Sequence, residues 1–258
     1  MSNGNASNVT PFPAAKVDEE QLEVWKRQSV VQSFNQGSRQ AIPLAQQQLD
    51  VVHRVLAIHE LNVERVLDLG SGDGFATANI LTRHAVKHAV LVDFSTPMLD
   101  EAREHFKDAP FPVEFVEGDL REDDWFDTVQ RSGPYDLVIS RFAIHHVSDE
   151  RKQVIYQKAF EFLRPGGVFI NIEHVKSASD TLQEAFDRLM IEGIVRQQAS
   201  PETREEIVTS YKARQDKDVN ILAPVETQLE WLRADGFEDV DCVFKLFELT
   251  VLTGHKPA

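Results

Sequence analysis

The chain has little cysteine and no long hydrophobic run. Its 258 residues include one cysteine, Cys242, so an internal disulfide is excluded, and we expect a cytoplasmic protein. No uninterrupted apolar stretch approaches the roughly 20 residues that a helix needs to cross a bilayer, so no membrane partner is expected. Internal repeats are also absent, which argues against a solenoid and favours one compact unit.

Basic side chains are scarce as well. The chain has 27 Lys and Arg against 42 Asp and Glu, which gives a formal net charge of −15. An acidic surface repels phosphate backbones, and no basic run with interleaved aromatic residues occurs. Nucleic acid is therefore disfavoured as a partner, and a small molecule is expected instead. The sequence leaves the oligomeric state open, with a homodimer as one option.

What the chain does contain is an alternation of strand and helix patterns. Five apolar strands, at about 64–69, 88–93, 112–117, 135–140 and 167–173, alternate with helices. This alternation predicts an α/β fold with a doubly wound, mostly parallel sheet. After a helix at 225–234, strands at 240–246 and 248–253 have so short a link that they must pair antiparallel. We therefore expect seven strands, with an antiparallel strand at the end.

Two segments lie outside this core pattern. Residues 1–16 are expected to form a disordered tail, because the segment is rich in Ser, Asn, Thr and Pro. Helical stripes in residues 17–60, including one over 43–59, predict amino-terminal cap helices ahead of a main domain at 61–258. Within that domain, residues 176–222 form a helical insertion that is also expected to cap the site. The alternative is that these helices cover the sheet edge or a dimer interface.

A glycine turn follows the first strand. Gly70, Gly72 and Gly74 alternate with other residues after the run that holds Asp68, and a helix is predicted from Phe75. Such a turn before a helix is typical of nucleotide-type cofactor sites. A dinucleotide site would favour the spacing G-x-G-x-x-G, which this turn lacks. The neighbouring acids would also repel a pyrophosphate, so a cationic ligand is expected.

A second acid lies at the end of the second strand. Asp93 stands 25 positions after Asp68, where a doubly wound sheet places an acid that binds ribose hydroxyls. Ser95 and Pro97 are residues that commonly start a helix. We therefore expect a helix beside the cofactor, with Met98 in its first turn.

The glycine turn, Asp93 and three later strand ends together resemble the motifs of class I S-adenosylmethionine (SAM) methyltransferases. The later motifs lie at 113–120, 135–142 and 162–170. The resemblance implies SAM as the cofactor and methyl transfer to an O or N atom of a small molecule. It also implies a set of cofactor-binding residues, namely Asp68, Gly70, Ser71, Gly72, Asp93, Phe94, Met98, Asp119, Leu120 and Arg141.

The same resemblance assigns roles within this set. Asp68 would lie near the amino-acid portion of SAM, and Phe94 or Met98 would lie under the adenine. Asp119 would accept a hydrogen bond from the adenine amino group, and the Leu120 N–H would donate one to a ring nitrogen. The amino-terminal arm, with Phe34 and Arg39, is expected to close over the bound cofactor.

Candidate bases follow the fourth and fifth strands. Methyl transfer needs alignment, exclusion of water and, for an acceptor that loses a proton, a base at the acceptor. His145 and His146 follow the fourth strand, and Glu173 and His174 follow the fifth. If the acceptor were a neutral amine, no base would be required, and these residues would bind or orient it.

No metal site is expected. The metal-dependent, catechol-type branch of the family has acids at the end of the fourth strand, where this chain has Ser140 and Arg141. Four further histidines show no grouping with cysteine or carboxylate, and most of them are expected at the surface: His53, His59, His84 and His88.

Two alternative functions are open. Residues 224–237 are also similar to enzymes that make carboxy-SAM for wobble-uridine modification in tRNA. That branch needs a cation to hold the added carboxylate, and Arg196 or Arg214 in the insertion are the candidates. The other alternative is a non-catalytic SAM-binding partner subunit, whose signature would be a damaged cofactor site. The cofactor-site motifs of this chain are intact, which argues against a non-catalytic subunit.

Overall fold

A computed structural model describes residues 42–197, 203–213 and 219–258. The expected tail at 1–16 lies outside the described residues, as do Phe34, Arg39 and Arg214. In chain order, the described elements are α1 (Ala45–Ile58), β1 (Arg65–Leu69), α2 (Phe75–Leu81), β2 (His88–Asp93), α3 (Thr96–His105), β3 (Val113–Glu117), α4 (Phe126–Ser132), β4 (Tyr135–Arg141), a 3-10 turn (Ile144–His146), α5 (Asp149–Phe162), β5 (Leu163–His174), α6 (Asp180–Gln197), α7 (Arg204–Lys212), α8 (Val225–Ala234), β6 (Glu238–Leu246) and β7 (Leu249–His255).

These seven strands form one sheet in the order β3-β2-β1-β4-β5-β7-β6. Strands β1 to β5 run parallel, and β7 is antiparallel to both of its neighbours. The predicted α/β fold with an antiparallel last strand is therefore confirmed. β5 begins earlier than expected, because Leu163 already pairs with Tyr135 before a register shift.

The central strands are buried on both faces, as helices on both sides of a parallel sheet require. Consecutive residues of β1 face opposite sides of the sheet. Val66 packs into one apolar cluster with α1 and α2, and Leu67 packs into a second with α5. Because the strands are parallel, their carboxyl ends meet at one edge of the sheet. The loops that follow β1, β2, β3 and β4 therefore converge there.

The segment expected at 43–59 does form a helix, α1, but it does not cap the site. Its apolar stripe, with Leu49, Val52 and Leu56, is buried against the sheet, because that face of the sheet offers the apolar surface that the stripe needs. The insertion behaves as expected: α6 and α7 pack on each other through a separate cluster that includes Phe186 and Ile207. No described helix is long and apolar enough to span a bilayer.

The expectation of surface histidines is wrong for His53. This side chain on α1 is only 5% exposed, and its Nε2 lies 3.0 Å from Asn79 Oδ1. Its burial follows from its position on the α1 face that packs against α2. His88 is partly buried and pairs with Glu114 at 2.7 Å.

Candidate cofactor and acceptor site

A cavity of about 790 Å³ opens at the carboxyl edge of the sheet. It lies where the strand order reverses between β1 and β4, the usual place for a ligand in a doubly wound fold. Its volume falls in the upper part of the ~300–1,000 Å³ range of small-molecule sites. The predicted SAM-binding and catalytic residues in the described part of the chain all line this cavity except Asp68 and Glu173.

The glycine turn forms one wall of the cavity. Gly70 has a φ of +66°, and a Cβ atom added there would lie 2.2 Å from the Ala143 Cβ. Gly72 has a φ of +55°, but its Cβ would meet only the Met98 sulfur, at 3.8 Å. Glycine is therefore needed at position 70 for close packing, and at position 72 it leaves the backbone open to a ligand.

Asp93 is held in place by two backbone groups beside the cavity. Its Oδ2 accepts a hydrogen bond from the Gly72 N–H, and its Oδ1 accepts one from the Ser95 N–H, each at 2.8 Å. Each carboxylate oxygen keeps a further lone pair for a ligand hydroxyl, which fits the predicted ribose role. Burial raises the pKa of Asp93 to about 6, and the nearby carboxylate of Asp119 adds to this rise.

Asp68 is fully buried beneath the turn and does not reach the cavity wall. Its Oδ2 accepts hydrogen bonds from the Thr77 hydroxyl at 2.7 Å and from the Thr77 N–H at 3.2 Å. Its Oδ1 has no hydrogen-bond partner among the described residues. Burial raises the pKa of Asp68 to about 7. Asp68 thus anchors α2 below the turn, and its contact with the cofactor stays a prediction.

The expected adenine end of the cavity contains Arg121, a residue that sequence reasoning missed. Phe94, Met98 and Leu120 line the wall as predicted. Asp119 lines it too, but its carboxylate accepts hydrogen bonds from Arg121 Nε, at 2.9 Å to Oδ1 and 3.0 Å to Oδ2. The signal in the sequence was the position of Arg121, a basic residue two positions after Asp119, which allows the two side chains to pair. Asp119 must therefore share its acceptor capacity between Arg121 and a ligand.

His145 and Glu173 form a buried pair at the other end of the cavity. The His145 Nδ1 lies 2.5 Å from Glu173 Oε1, and the two residues are 6% and 1% exposed. Glu173 also accepts hydrogen bonds from the His174 N–H, at 2.7 Å, and from the Asn171 amide, at 3.2 Å. Since Nδ1 is bound by Glu173, Nε2 is the nitrogen of His145 that can serve the cavity. Glu173 lies behind it and acts through His145.

The pKa shifts of this pair concern the protonation state of His145. Burial lowers the pKa of His145 well below its usual value, and the positive charges of His174 and Lys152 add to this effect. The imidazole is therefore neutral near pH 7, with a lone pair on Nε2. Burial also raises the pKa of Glu173. A neutral imidazole that is oriented by a carboxylate can take a proton from an acceptor.

The other two predicted bases also line the cavity. The ring centroid of His146 lies 4.0 Å from that of His145. His174 Nε2 lies 2.6 Å from an oxygen of Glu248, which also accepts a hydrogen bond from the Ser177 hydroxyl. Sequence reasoning missed Glu248, which stands in the link between β6 and β7. His145 and His174 thus each have one ring nitrogen on a carboxylate, and both stay candidates for the base.

Arg141 and the segment after it shape the cavity between these two ends. The Arg141 guanidinium lies over the rings of Phe75 and Phe142, at 5.0 and 4.9 Å from their centroids. Phe142 has a φ of 52°, a conformation that non-glycine residues rarely adopt, and its N–H donates to the Ile172 carbonyl at 2.8 Å. This turn carries Ala143 over the glycine turn.

The insertion contributes the outer wall through α6 and α7, including Phe186, Met190 and Tyr211. Ile42, the first residue that the structure describes, also lines the cavity. Arg196, one of the two expected carboxylate-binding cations, does not line the cavity. Its side chain is 71% exposed and pairs with Glu192 at 3.6 Å, because it faces away from the cavity on α6.

Comparison with known proteins identifies a domain and its fold. Residues 66–167 match the family model of a methyltransferase domain. The fold is similar to an O-methyltransferase family protein from Burkholderia thailandensis, with a TM-score of 0.64 and 19% identity over 92% of this chain and 63% of that chain. Residues 66–167 thus carry a methyltransferase domain, and the chain shares its fold with SAM-dependent methyltransferases. The predicted resemblance is confirmed for this domain, together with SAM as the cofactor that such methyltransferases use.

Two further proteins show what the chain is similar to. Human N-acetylserotonin methyltransferase, solved in complex with SAM, has a TM-score of 0.56 and 17% identity over 93% of this chain and 60% of that one. The carboxy-SAM synthase of Klebsiella pneumoniae is 28% identical over 198 residues, which are 74% of each chain. The chain spans about three fifths of the two structures named here.

Proposed function

We propose that this methyltransferase transfers the methyl group of SAM to an O or N atom of a small molecule held beside His145. The observation that carries the proposal is that one cavity joins the Asp93 and glycine-turn end to the buried pair of His145 and Glu173. The first end suits the nucleoside of SAM, and the second end supplies a base. A methyl donor and an acceptor can therefore meet without leaving the cavity.

The chemistry follows from this arrangement. The acceptor attacks the methyl carbon, a new bond to that carbon forms, and the carbon–sulfur bond breaks with its electron pair going to sulfur. In the proposed mechanism, the acceptor proton passes to His145 Nε2. The Glu173 carboxylate accepts from Nδ1–H, so it holds the ring in the correct tautomer and stabilises the imidazolium that forms.

The charges of the cavity wall support a small acceptor without phosphate groups. Six acids line the cavity, namely Asp73, Asp93, Asp119, Asp180, Asp187 and Glu248. Three cationic side chains line it, namely Arg121, Arg141 and Lys176, and Arg121 is paired with Asp119. A wall with this balance repels phosphate and favours neutral or cationic groups. The apolar side chains of α6 and α7 add surface for an apolar portion of the acceptor.

The role of His145 is tested by His145→Asn, with His84→Asn as the control, measured with an acceptor found by screening. His145→Asn should lower turnover about 10²- to 10⁴-fold at an unchanged Kd for SAM. His84→Asn should change neither value. Glu173→Gln should lower turnover less and alter the pH profile, because the amide cannot stabilise an imidazolium. Losses below tenfold in both site variants would show that transfer proceeds by alignment alone.

A second candidate is the formation of carboxy-SAM, which the name of the Klebsiella pneumoniae relative favours. Such a reaction adds a carboxylate, and Arg141 and Lys176 are the cavity-lining cations that would hold it. Mass spectrometry of the nucleoside product separates the two candidates, because methyl transfer yields S-adenosylhomocysteine. Carboxy-SAM as the product, with loss of its formation in Arg141→Ala, would favour the second.

The acceptor class is tested with total tRNA beside a metabolite extract. Incorporation of label from SAM into the metabolite extract is expected. Methyl or carboxymethyl incorporation into tRNA alone would overturn the proposal of a small-molecule acceptor. A non-catalytic SAM-binding subunit would bind SAM in this assay and label neither.

A further inference from the structure

Three potential metal ligands meet at the edge of the sheet opposite the cavity. His59 directly follows α1, Asp239 is the second residue of β6, and His255 ends β7. His255 pairs with Val168, the first residue of β5 that pairs with β7, whereas His174 at the end of β5 lines the cavity. The cluster therefore lies at the amino ends of the parallel strands, away from the cofactor and acceptor site.

The geometry of the cluster matches a metal-binding group. One ligand atom from each of His59, Asp239 and His255 lies within 4.8 Å of the others. The two imidazole rings are stacked, with centroids 4.6 Å apart and planes 8° from parallel. Both histidines are partly exposed and Asp239 is exposed, so an ion can reach them. The part of the chain that the structure describes contains no second group of three such ligands.

The backbone around Asp239 is unusual in a way that aims its side chain. Asp239 has a φ of 50°, and the pairing of β6 with β7 shifts register between Glu238 and Asp241. A register shift of this kind re-aims side chains, and a positive φ at a residue with a side chain costs free energy. The distortion places the carboxylate against two histidines that the chain brings from distant positions.

We propose that His59, Asp239 and His255 bind one divalent transition-metal ion of the zinc type. Two imidazole nitrogens and one carboxylate oxygen form a common ligand set for zinc, with a fourth position open to water. An ion there would link the end of α1 to β6 and β7, since each ligand comes from a different element. Its role would be structural, because the site lies away from the reacting groups.

Each histidine would bind the ion through the lone pair of a neutral imidazole nitrogen. Sequence reasoning could not find this group, because Asp239 and His255 lie far from His59 along the chain and the spacing matches no metal motif.

The test is calorimetric titration of Zn²⁺ into the full chain after treatment with a chelator. One ion per chain is expected. Since loss of an outer-sphere partner already weakens metal binding about 10- to 100-fold, Asp239→Asn and His255→Ala should each weaken Zn²⁺ binding at least ~tenfold. Asn tolerates the left-handed conformation as well as Asp does, so Asp239→Asn should keep the backbone. Unchanged SAM binding would show that each variant is folded.

The matched control is His84→Ala. His84 is also stacked on another histidine, His53, with centroids 5.6 Å apart, but this pair does not belong to a group of three ligands. His84→Ala should bind Zn²⁺ like the wild type, and Zn²⁺ should raise the melting temperature of both. Wild-type affinity in Asp239→Asn and His255→Ala, or an equal loss in His84→Ala, would overturn the proposal.

Discussion

Asp93→Asn gives the sharpest test of the cofactor site. The substitution keeps the size of the side chain but removes its charge and replaces one acceptor oxygen with an amide nitrogen. In the structure the two oxygens accept hydrogen bonds from the Gly72 and Ser95 N–H groups and keep one lone pair each for ribose. Asparagine cannot satisfy all four contacts. One ribose hydroxyl loses its acceptor, and the other keeps only a neutral one.

The size of the effect follows from the charge of the lost acceptor. A hydrogen bond to a charged group contributes about 1.5–3 kcal/mol. This range corresponds to a Kd for SAM that is about 10- to 150-fold weaker. The Asp93 carboxylate must be ionised for this comparison. Burial raises its pKa to about 6, so the binding should be measured well above pH 6.

Calorimetry at about pH 8 measures the Kd for SAM and for S-adenosylhomocysteine. The matched control is Asp100→Asn on α3, whose side chain is 67% exposed and pairs with Arg103. The control should bind SAM like the wild type, and a thermal melt should show that both variants are folded. A change of less than threefold in folded Asp93→Asn would refute the ribose assignment. Binding of NAD in place of SAM by the wild type would refute the cofactor.

Three further predictions concern pH, the glycine turn and the amino-terminal arm. Since burial raises the pKa of Asp93 to about 6 and that of Asp68 to about 7, and cationic SAM favours the ionised forms, SAM binding should weaken as pH falls through this range. Calorimetry in buffers of different ionisation enthalpy should show proton release on binding, and no release would contradict this. Gly70→Ala should lower the free energy of unfolding by at least about 1–3 kcal/mol, because its Cβ would clash at 2.2 Å, and Gly72→Ala should lower it less. Thermal unfolding compares the two variants, and equal losses would contradict the packing argument. Deleting residues 1–42 should abolish transfer but leave the circular dichroism of a folded sheet, and retained turnover would contradict a role for the arm in closing the site.

The sequence was sufficient for the sheet and for the cofactor end of the cavity, because both depend on short-range patterns. Each predicted strand ends with its turn or acid, so parallel pairing alone brings Gly70, Asp93 and Asp119 to one edge. The helix start at Ser95 followed from local capping, and its hydroxyl accepts from the Met98 N–H as that pattern requires. None of these features needs a contact between distant side chains.

The acceptor end was harder to predict, because its residues meet through tertiary packing. His145 and Glu173 were both candidates, but their order, with Glu173 behind His145, depends on the pairing of β4 with β5. Glu248 was missed because it enters the site through β7, which lies beside β5 only after the antiparallel strand has paired. The prediction that α1 caps the site was also wrong. An amphipathic stripe indicates that a helix is buried, but it does not indicate which part of the protein the helix packs against.

One contact connects the two ends of the site. Because Gly70 has no side chain, Ala143 can pack directly on the glycine turn, and the segment after β4 continues from Ala143 to His145. The N–H of Phe142 fixes the same segment to β5, the strand that supplies Glu173. The glycine turn and His145, the proposed base, are thus positioned by one short stretch of chain. In-line methyl transfer depends on such alignment, since a displacement of about 1 Å in the reacting groups can cost about 10²-fold in rate.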